Sequence, residues 1–317
     1  MDGFHKERRS GSSMSKMDRS RTKSGILFAL PWIIGFLIFS LYPICISFYY
    51  SMSDFNIFQA PKWVALDNYR ELFSDHKFYL SLQNTLYMVV FGTPITLGAG
   101  LLLAILLNQR IRGLSVFRTI FYLPSIVPIV ASSLLWLWIL NPQYGLLNSI
   151  LKAVGMKQPN WLMDPAYTKP ALIIMGLWGV GNTIIIFLAS LQDVPRSLYE
   201  ASKMDGANAW QQFIHITLPG ISSVIFFQLI MSIINYFQYF TQAYLLIGGS
   251  TGGGTNGMSG GPENSLLFYS LYLFHNAFGY FKMGKASAMA WILFLIIMAV
   301  TALIFKTQDR WVTYGDQ

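Results

Sequence analysis

Six apolar runs, at roughly 26–50, 83–107, 117–140, 170–190, 219–247 and 285–305, set what this chain can fold into. Each is about 20 residues or longer, the length at which a helix crosses ~30 Å of hydrocarbon. Backbone polar groups in lipid must be satisfied within their own segment, so such runs become helices. Of the 317 residues, 54% are hydrophobic and only 11% are charged. That leaves too little polar surface to cover a soluble globule of this size. The predicted fold class is an all-α membrane protein with six transmembrane helices.

The net charge of +8 would suggest nucleic acid in a soluble protein, but its distribution points to topology. With the N-terminus inside, 14 Lys and Arg fall on the inner side and 8 on the outer side, although the outer loops are longer. Both termini are therefore expected in the cytosol, and no nucleic-acid partner is implied. Residues 1–24 carry seven basic residues and almost nothing apolar, and read as a disordered cytosolic tail. The run from Ile26 to Tyr50 is too long for the apolar region of a signal peptide and lacks a small-residue cleavage site. It reads as an uncleaved first span, bent at Pro43. Residues 25–82 then hold the first transmembrane helix and an external loop, 83–306 the transmembrane core, and 307–317 a second cytosolic tail. Cys45 is the single cysteine, so no internal disulfide or multi-cysteine metal site can form, and it reads as a small packing residue.

Between the fourth and fifth runs lies a polar interval, Tyr199 to Pro219, with the sequence YEASKMDGANAWQQFIHITLP. Pro195 suits the first turn of a helix, where its missing N–H costs nothing. Asp205-Gly206 ends that helix, because glycine tolerates the left-handed conformation of a helix C-terminus. Asn208 with Gln211 three residues on has the spacing of a capping box opening a second helix, which brings Ala209, Phe213 and Ile216 toward one side. A helix-turn-helix between membrane spans, within residues 195–217, is the result.

Glu200, Ala201, Asp205, Gly206, Ala207, Phe213, Ile216, Leu218 and Pro219 stand at the spacing of the "EAA...G.........I.LP" loop, with Ser202 in place of its third alanine. In this the chain resembles permease subunits of binding-protein-dependent ATP-binding-cassette (ABC) importers. More of the chain is similar to the maltose and glycerol-phosphate type of that family. The similar segments are LDNYRELF (Leu66 to Phe73), Asn84-Thr85-Leu86, Pro124 and Trp136 in the third run, Gly145 to Asn148, Trp161 to Pro165, Ile186 to Pro195, and His275 to Ala290. Two departures are the insertion-like STGGGTNGMS (Ser250 to Ser259) and Lys285, where the family favours an aromatic.

The resemblance implies a type I ABC importer transmembrane fold in a bacterial cytoplasmic (inner) membrane. It implies a second homologous permease as heterodimer partner, two ABC ATPase subunits that bind ATP and Mg, an extracytoplasmic sugar-binding protein and the surrounding lipid bilayer. It also implies that Glu200, Ala201, Ser202, Asp205, Gly206, Ala207 and Phe213 couple the permease to the ATPase. Glu200 would pair with a basic residue of the partner, and the Ala and Phe positions would fill its groove. The chain itself would carry no cofactor, no metal and no catalytic residue.

Gln228, Ser232, Asn235, Tyr239 and Gln242 follow one another at steps of 4, 3, 4 and 3, which places them on one face of a continuous fifth helix. Uncharged amides and hydroxyls in hydrocarbon need partners or water, so such a row marks a helix interface or a lined cavity. Trp178, Gly179 and Asn182 add a similar group in the fourth run. Amides, hydroxyls and aromatic faces suit a sugar, whereas an amino acid, phosphate or metal would want fixed charge. The resemblance places contacts with the sugar near these positions, including Tyr236.

Gly279 to Ala286, GYFKMGKA, approaches the phosphate-binding pattern GxxxxGK[ST] but has Ala286 at the hydroxyl position, no preceding strand and an external location. ATP hydrolysis is therefore assigned to a separate subunit. The small residues Gly284, Ala286, Ala288 and Ala290 suit close helix approach instead. The glycine-rich stretch from Gly248 to Gly261 reads first as a passive linker, with a reach toward the binding protein as the alternative. The four histidines are scattered, and no HExxH or paired intramembrane acid is present, so an intramembrane enzyme is not favoured. An ABC importer for a non-sugar solute remains the nearer alternative.

Overall fold

The computed structural model describes residues 16–109, 112–250 and 260–313. Most of the glycine-rich loop, Arg110 of the inner charge count, the first part of the N-terminal tail and the last four residues of the C-terminal tail lie outside them. Contacts divide the chain into two units, Met1–Tyr50 and Ser51–Gln317.

The first unit is a run of helix. It starts at Lys16, so the backbone is already helical over the second part of the segment expected to be a disordered tail. One apolar stretch, Gly25–Ser51, is long enough to cross a membrane. A π-helical turn at Leu37–Leu41 lies just before Pro43, whose ring would otherwise press on the carbonyl one turn back. Cys45 is exposed on this helix, so it does not serve as a packing residue inside the chain. Large apolar side chains, among them Phe28, Trp32 and Phe39, also stand exposed, as suits a helix solvated by lipid.

The second unit holds two more helices of spanning length, His76–Leu107 and Met283–Arg310. Three bent pairs accompany them, so the described residues provide up to six spans in all. Two of the bends fall at a proline. Leu114–Ile126 and Ile129–Ile139 meet at 102° because Pro128 forces Val127 into extended backbone (ψ 127°). Pro165–Trp178 and Gly181–Asp193 meet at 52° across Gly179 and Val180. Ala209–Gly220 and Ser222–Phe237 meet at 68° just after Pro219. The third run is thus two helices, and the fifth begins at Ser222 and not at Pro219. A two-stranded antiparallel hairpin, Ser53–Asp54 with Lys62–Trp63, is the β-structure among the described residues, so the fold is all-α apart from it.

Two apolar cores hold this unit together. The larger packs Phe78, Met88, Leu172, Phe237, Phe268 and Tyr269 between the second span, the first half of the fourth, the fifth and the segment before the sixth. The smaller packs Ala104, Ile184, Phe187, Leu191 and Ile221 where the second span, the second half of the fourth and the polar helix-turn-helix converge. Ala286 and Ala288 are buried as their small size suggests, while Ala290 faces outward.

Candidate functional site

The polar interval folds as its residues dictate. Helix Arg196–Met204 starts after Pro195, which occupies the N-cap and not the first helical turn, and closes on Asp205. Gly206 has φ +79°, the Ala207 amide donates to the Ser202 carbonyl at 2.9 Å, and the Gly206 amide donates to the Lys203 carbonyl at 3.1 Å. This pair of bonds is a Schellman ending, which requires the left-handed residue that glycine supplies. Two residues on, the Asn208 side chain accepts from the Gln211 amide at 2.9 Å and the Gln211 side chain accepts from the Asn208 amide at 2.8 Å. Both halves of the capping box are therefore present.

Cross-links that the spacing did not reveal make the two helices one body. The Gln212 amide donates to the Ser202 hydroxyl at 3.0 Å, and the Tyr199 and Thr217 hydroxyls share a hydrogen bond of 2.9 Å. Ser202, the departure from the alanine of the loop pattern, is thus an acceptor for the second helix.

Of the remaining coupling candidates, Glu200, Ala201, Asp205 and Gly206 are exposed, and Ala207 is half-buried. Phe213 and Ala209 line a cleft of about 360 Å³ with Ile105, Leu191 and Tyr199. The apolar side chains that stand farthest into open space are Met204, 89% exposed, and Trp210, 68% exposed. They were missed from spacing alone, although a methionine and a tryptophan in so polar a stretch are a compositional signal.

The fifth span departs from one continuous polar face. Its helix Ser222–Phe237 ends at Gln238, and a new helix runs Thr241–Ser250. Gln228, Ser232 and Asn235 share a face, Tyr239 lies in the break and Gln242 belongs to the next helix. The break has a packing cause. Phe237 is fully buried, Tyr239 meets the Phe268 ring at 5.5 Å and Phe240 meets Phe274 at 5.0 Å. These aromatic contacts outweigh the small gain from extending a helix through residues of modest helix propensity.

Gln228 and Tyr236 are buried, Ser232, Tyr239 and Gln242 half-buried, and Asn235, Gly179 and Asn182 exposed. The Tyr236 hydroxyl is hydrogen-bonded with Thr96, and its ring lies so close to Gly92 that a Cβ there would come within 2.7 Å of it. The Thr93 hydroxyl and the Trp136 indole N–H are buried without hydrogen-bond partners among the described residues. A buried donor left unpaired costs about 1–3 kcal/mol.

At the opposite end from the coupling element, asparagines staple the loops through backbone carbonyls. Asn68 donates to Ser51 and Ser53, each at 2.9 Å, and Asn84 donates to Asn264 at 2.9 Å and Leu267 at 3.1 Å. Asn148 accepts from the Trp161 indole at 2.8 Å and donates to the Pro159 carbonyl at 3.1 Å.

Lys285 is buried there. Its ammonium lies 2.8 Å from Asp75 and 3.1 Å from Glu71, Lys282 also reaches Glu71 at 3.1 Å, and the Tyr272 hydroxyl donates to Asp75. Burial acts to raise the Asp75 carboxyl, but the hydrogen bonds from Lys285 and Tyr272 and the lysine charge hold it below the usual aspartate range. Glu71 is likewise pushed up by burial and held low on balance by Lys282 and Lys285.

Residues 96–314 match the model of the family described as "Binding-protein-dependent transport system inner membrane component". The chain is 41% identical to the "Probable ABC transporter permease protein YesP" of Bacillus subtilis (strain 168), over 96% of this chain and 97% of that one. It is 34% identical to the "Lactose transport system permease protein LacF" of Rhizobium radiobacter, over 93% and 96% of the two chains. Its fold is similar to that of a chain in a crystal structure of a bacterial alginate ABC transporter in complex with an alginate pentasaccharide-bound periplasmic protein. That likeness has a TM-score of 0.76 at 23% identity, covering 95% of this chain and all of the other. The chain belongs to the family of binding-protein-dependent transport system inner membrane components, the permeases of ABC transporters.

Proposed function

We propose that this permease imports a carbohydrate, most simply an oligosaccharide, by alternating access driven from outside the chain. The observation that carries this is the rigid helix-turn-helix at Tyr199 to Pro219, doubly capped and doubly cross-linked. A knob of that kind can transmit a push, whereas a mobile loop would absorb it. In this reading two ABC ATPase subunits grip it and supply ATP and Mg chemistry. Glu200, Ala201, Ser202, Asp205, Gly206, Ala207 and Phe213 form the gripped element, with Met204 and Trp210 as its outward apolar contacts. The element continues across Pro219 into the span that carries Gln228, Ser232 and Asn235, a short path from ATPase to cavity.

In this reading the chain has six spans with both termini in the cytosol of a bacterium, and the knob lies on the side where ATP is available. A second, homologous permease completes the pathway, and an extracytoplasmic binding protein delivers the solute. The carbohydrate assignment rests on the uncharged amides, hydroxyls and aromatic rings at Gly179, Asn182, Gln228, Ser232, Asn235, Tyr236, Tyr239 and Gln242. It agrees with relatives named for transport of lactose and of trehalose/maltose. Uptake of radiolabelled oligosaccharides by cells with Asn235→Ala or Gln228→Ala, alongside co-purification of the partner subunits, tests both halves. Weakened uptake with intact assembly is expected, and lost assembly would instead assign the polar face to subunit packing.

A further inference from the structure

Beside the coupling element, a polar cleft and an apolar groove meet at a single side chain. The polar cleft, about 590 Å³, is lined by Arg118, Arg196 and Lys203 together with Glu200. Arg196, Glu200 and Lys203 recur at helical spacing on one face of helix Arg196–Met204. The apolar groove, about 290 Å³, lies between helices Leu114–Ile126 and Gly181–Asp193 and is walled by Leu107, Phe121, Ile184 and Leu188. Arg118 lines both.

The charges of this cleft are not matched among themselves. None of the three cations, nor Glu200, takes part in an ion pair among the described residues. Three cations and one carboxylate leave a surplus of two positive charges around the cleft. The Arg118 Nε is buried with no hydrogen-bond partner among the described residues, and its guanidinium reaches one carbonyl, that of Leu107, at 3.5 Å. Arg118 is half-buried and lines the open cleft, so guanidinium donors not used by the Leu107 carbonyl stand beside it; such a group favours an oxyanion, and its planar fork suits phosphate.

We propose that this composite binds an anionic phospholipid, its headgroup phosphate held by Arg118 with Arg196 and Lys203, and part of one acyl chain along the apolar groove. The groove decides for a lipid over free phosphate, since a soluble anion has no use for an apolar wall that opens from the same arginine. The position fits as well, because both helices flanking the groove belong to pairs apolar enough to cross a membrane, and the cleft lies where they meet the polar coupling element. A phosphate held between Arg118 and helix Arg196–Met204 ties the coupling element to the third span, so lipid charge would influence how firmly that element is seated.

The full chain reconstituted in nanodiscs of phosphatidylcholine, with or without phosphatidylglycerol, tests this by lipid retained after a delipidating wash, counted by mass spectrometry, and by thermal unfolding. Wild type is expected to retain phosphatidylglycerol over phosphatidylcholine and to unfold at a higher temperature with it. Arg118→Gln should lower that retention by about tenfold, while Arg118→Lys, which keeps the charge but loses the fork, should fall between the two. Inorganic phosphate added to the detergent-solubilised chain should not raise the unfolding temperature. Equal phosphatidylglycerol retention by wild type and Arg118→Gln overturns the proposal, as does a phosphate effect equal to that of the lipid. A drop in unfolding temperature that is the same in both lipids, with headgroup preference intact, would make Arg118 a packing residue. Should Arg118→Gln fail to fold, the double variant Arg196→Gln/Lys203→Gln on the exposed helix reads the same preference.

Discussion

Lys285 at the start of the last span and Asp75 at the N-cap of the second are bound at 2.8 Å, with the lysine side chain only 7% exposed. Glu71 on the short external helix Asp67–Phe73 shares the same ammonium. One cation therefore fastens the last span to two adjoining segments more than 200 residues earlier in the chain. Removing Lys285 leaves two neighbouring carboxylates without their buried partner, a change of about 3 kcal/mol, at the low end for a broken buried pair because Glu71 is half-exposed. Lys285→Met should lower the unfolding temperature in detergent, and adding Asp75→Asn should recover part of the loss. A double variant as unstable as the sum of the two single ones would show that the pair is not coupled.

Acid should loosen the same end of the molecule. Glu71 and Asp75 both have folded values below their ordinary 4.5 and 3.8, so each contributes stability that is fully present above the ordinary value. That contribution is lost as pH falls through the lower folded value. Thermal unfolding followed from neutral pH into this acid window should show a decline that is shallower in Asp75→Asn. Identical acid profiles in wild type and variant would remove Asp75 from the account.

Gly206 separates backbone demand from packing, because no atom lies within 4 Å of where its Cβ would stand. A substitution there is therefore strained through φ +79° alone. Gly206→Asn, which tolerates the left-handed region, should keep transport close to wild type. Gly206→Val should open the Schellman ending at about 1–2 kcal/mol or more and impair uptake, while the permease still reaches the membrane. Equal uptake by the two variants would mean that the shape of the turn does not matter to coupling.

The turn at Gly206 and the capping box at Asn208 were legible because both depend on residues close together in the chain. The apolar runs were legible because hydrocarbon thickness dictates run length; three stand as long helices, and the count reaches six only with each bent pair taken as one span. What escaped is what depends on contacts between distant segments. Nothing local at Lys285 announces Asp75 and Glu71, more than 200 residues earlier. Nothing in the steps from Gln228 to Gln242 announces the break after Phe237, since the rings that favour it find Phe268 and Phe274 from another segment. The Gln212 to Ser202 bond escaped for a subtler reason: the loop pattern treats position 202 as small, and smallness hides its hydroxyl.

Tyr236 shows how a residue of a proposed sugar cavity can also be a packing element. A Cβ on Gly92 would lie 2.7 Å from the tyrosine ring carbon Cζ and 2.9 Å from Cε1. The obstruction is the ring and not only the hydroxyl, so Gly92→Ala overfills the contact between the second and fifth spans by about 1–3 kcal/mol. Tyr236→Phe removes the hydrogen bond with Thr96 but leaves the ring, and should not rescue Gly92→Ala. Tyr236→Leu removes the ring atoms that collide and should restore much of the unfolding temperature in the double variant. Uptake then distinguishes the two roles. If the double variant is stable and transports, Tyr236 serves packing alone; if it is stable but fails to take up carbohydrate, the phenol belongs to the translocation path. An unfolding temperature for Gly92→Ala equal to wild type would show that the ring has room to move aside.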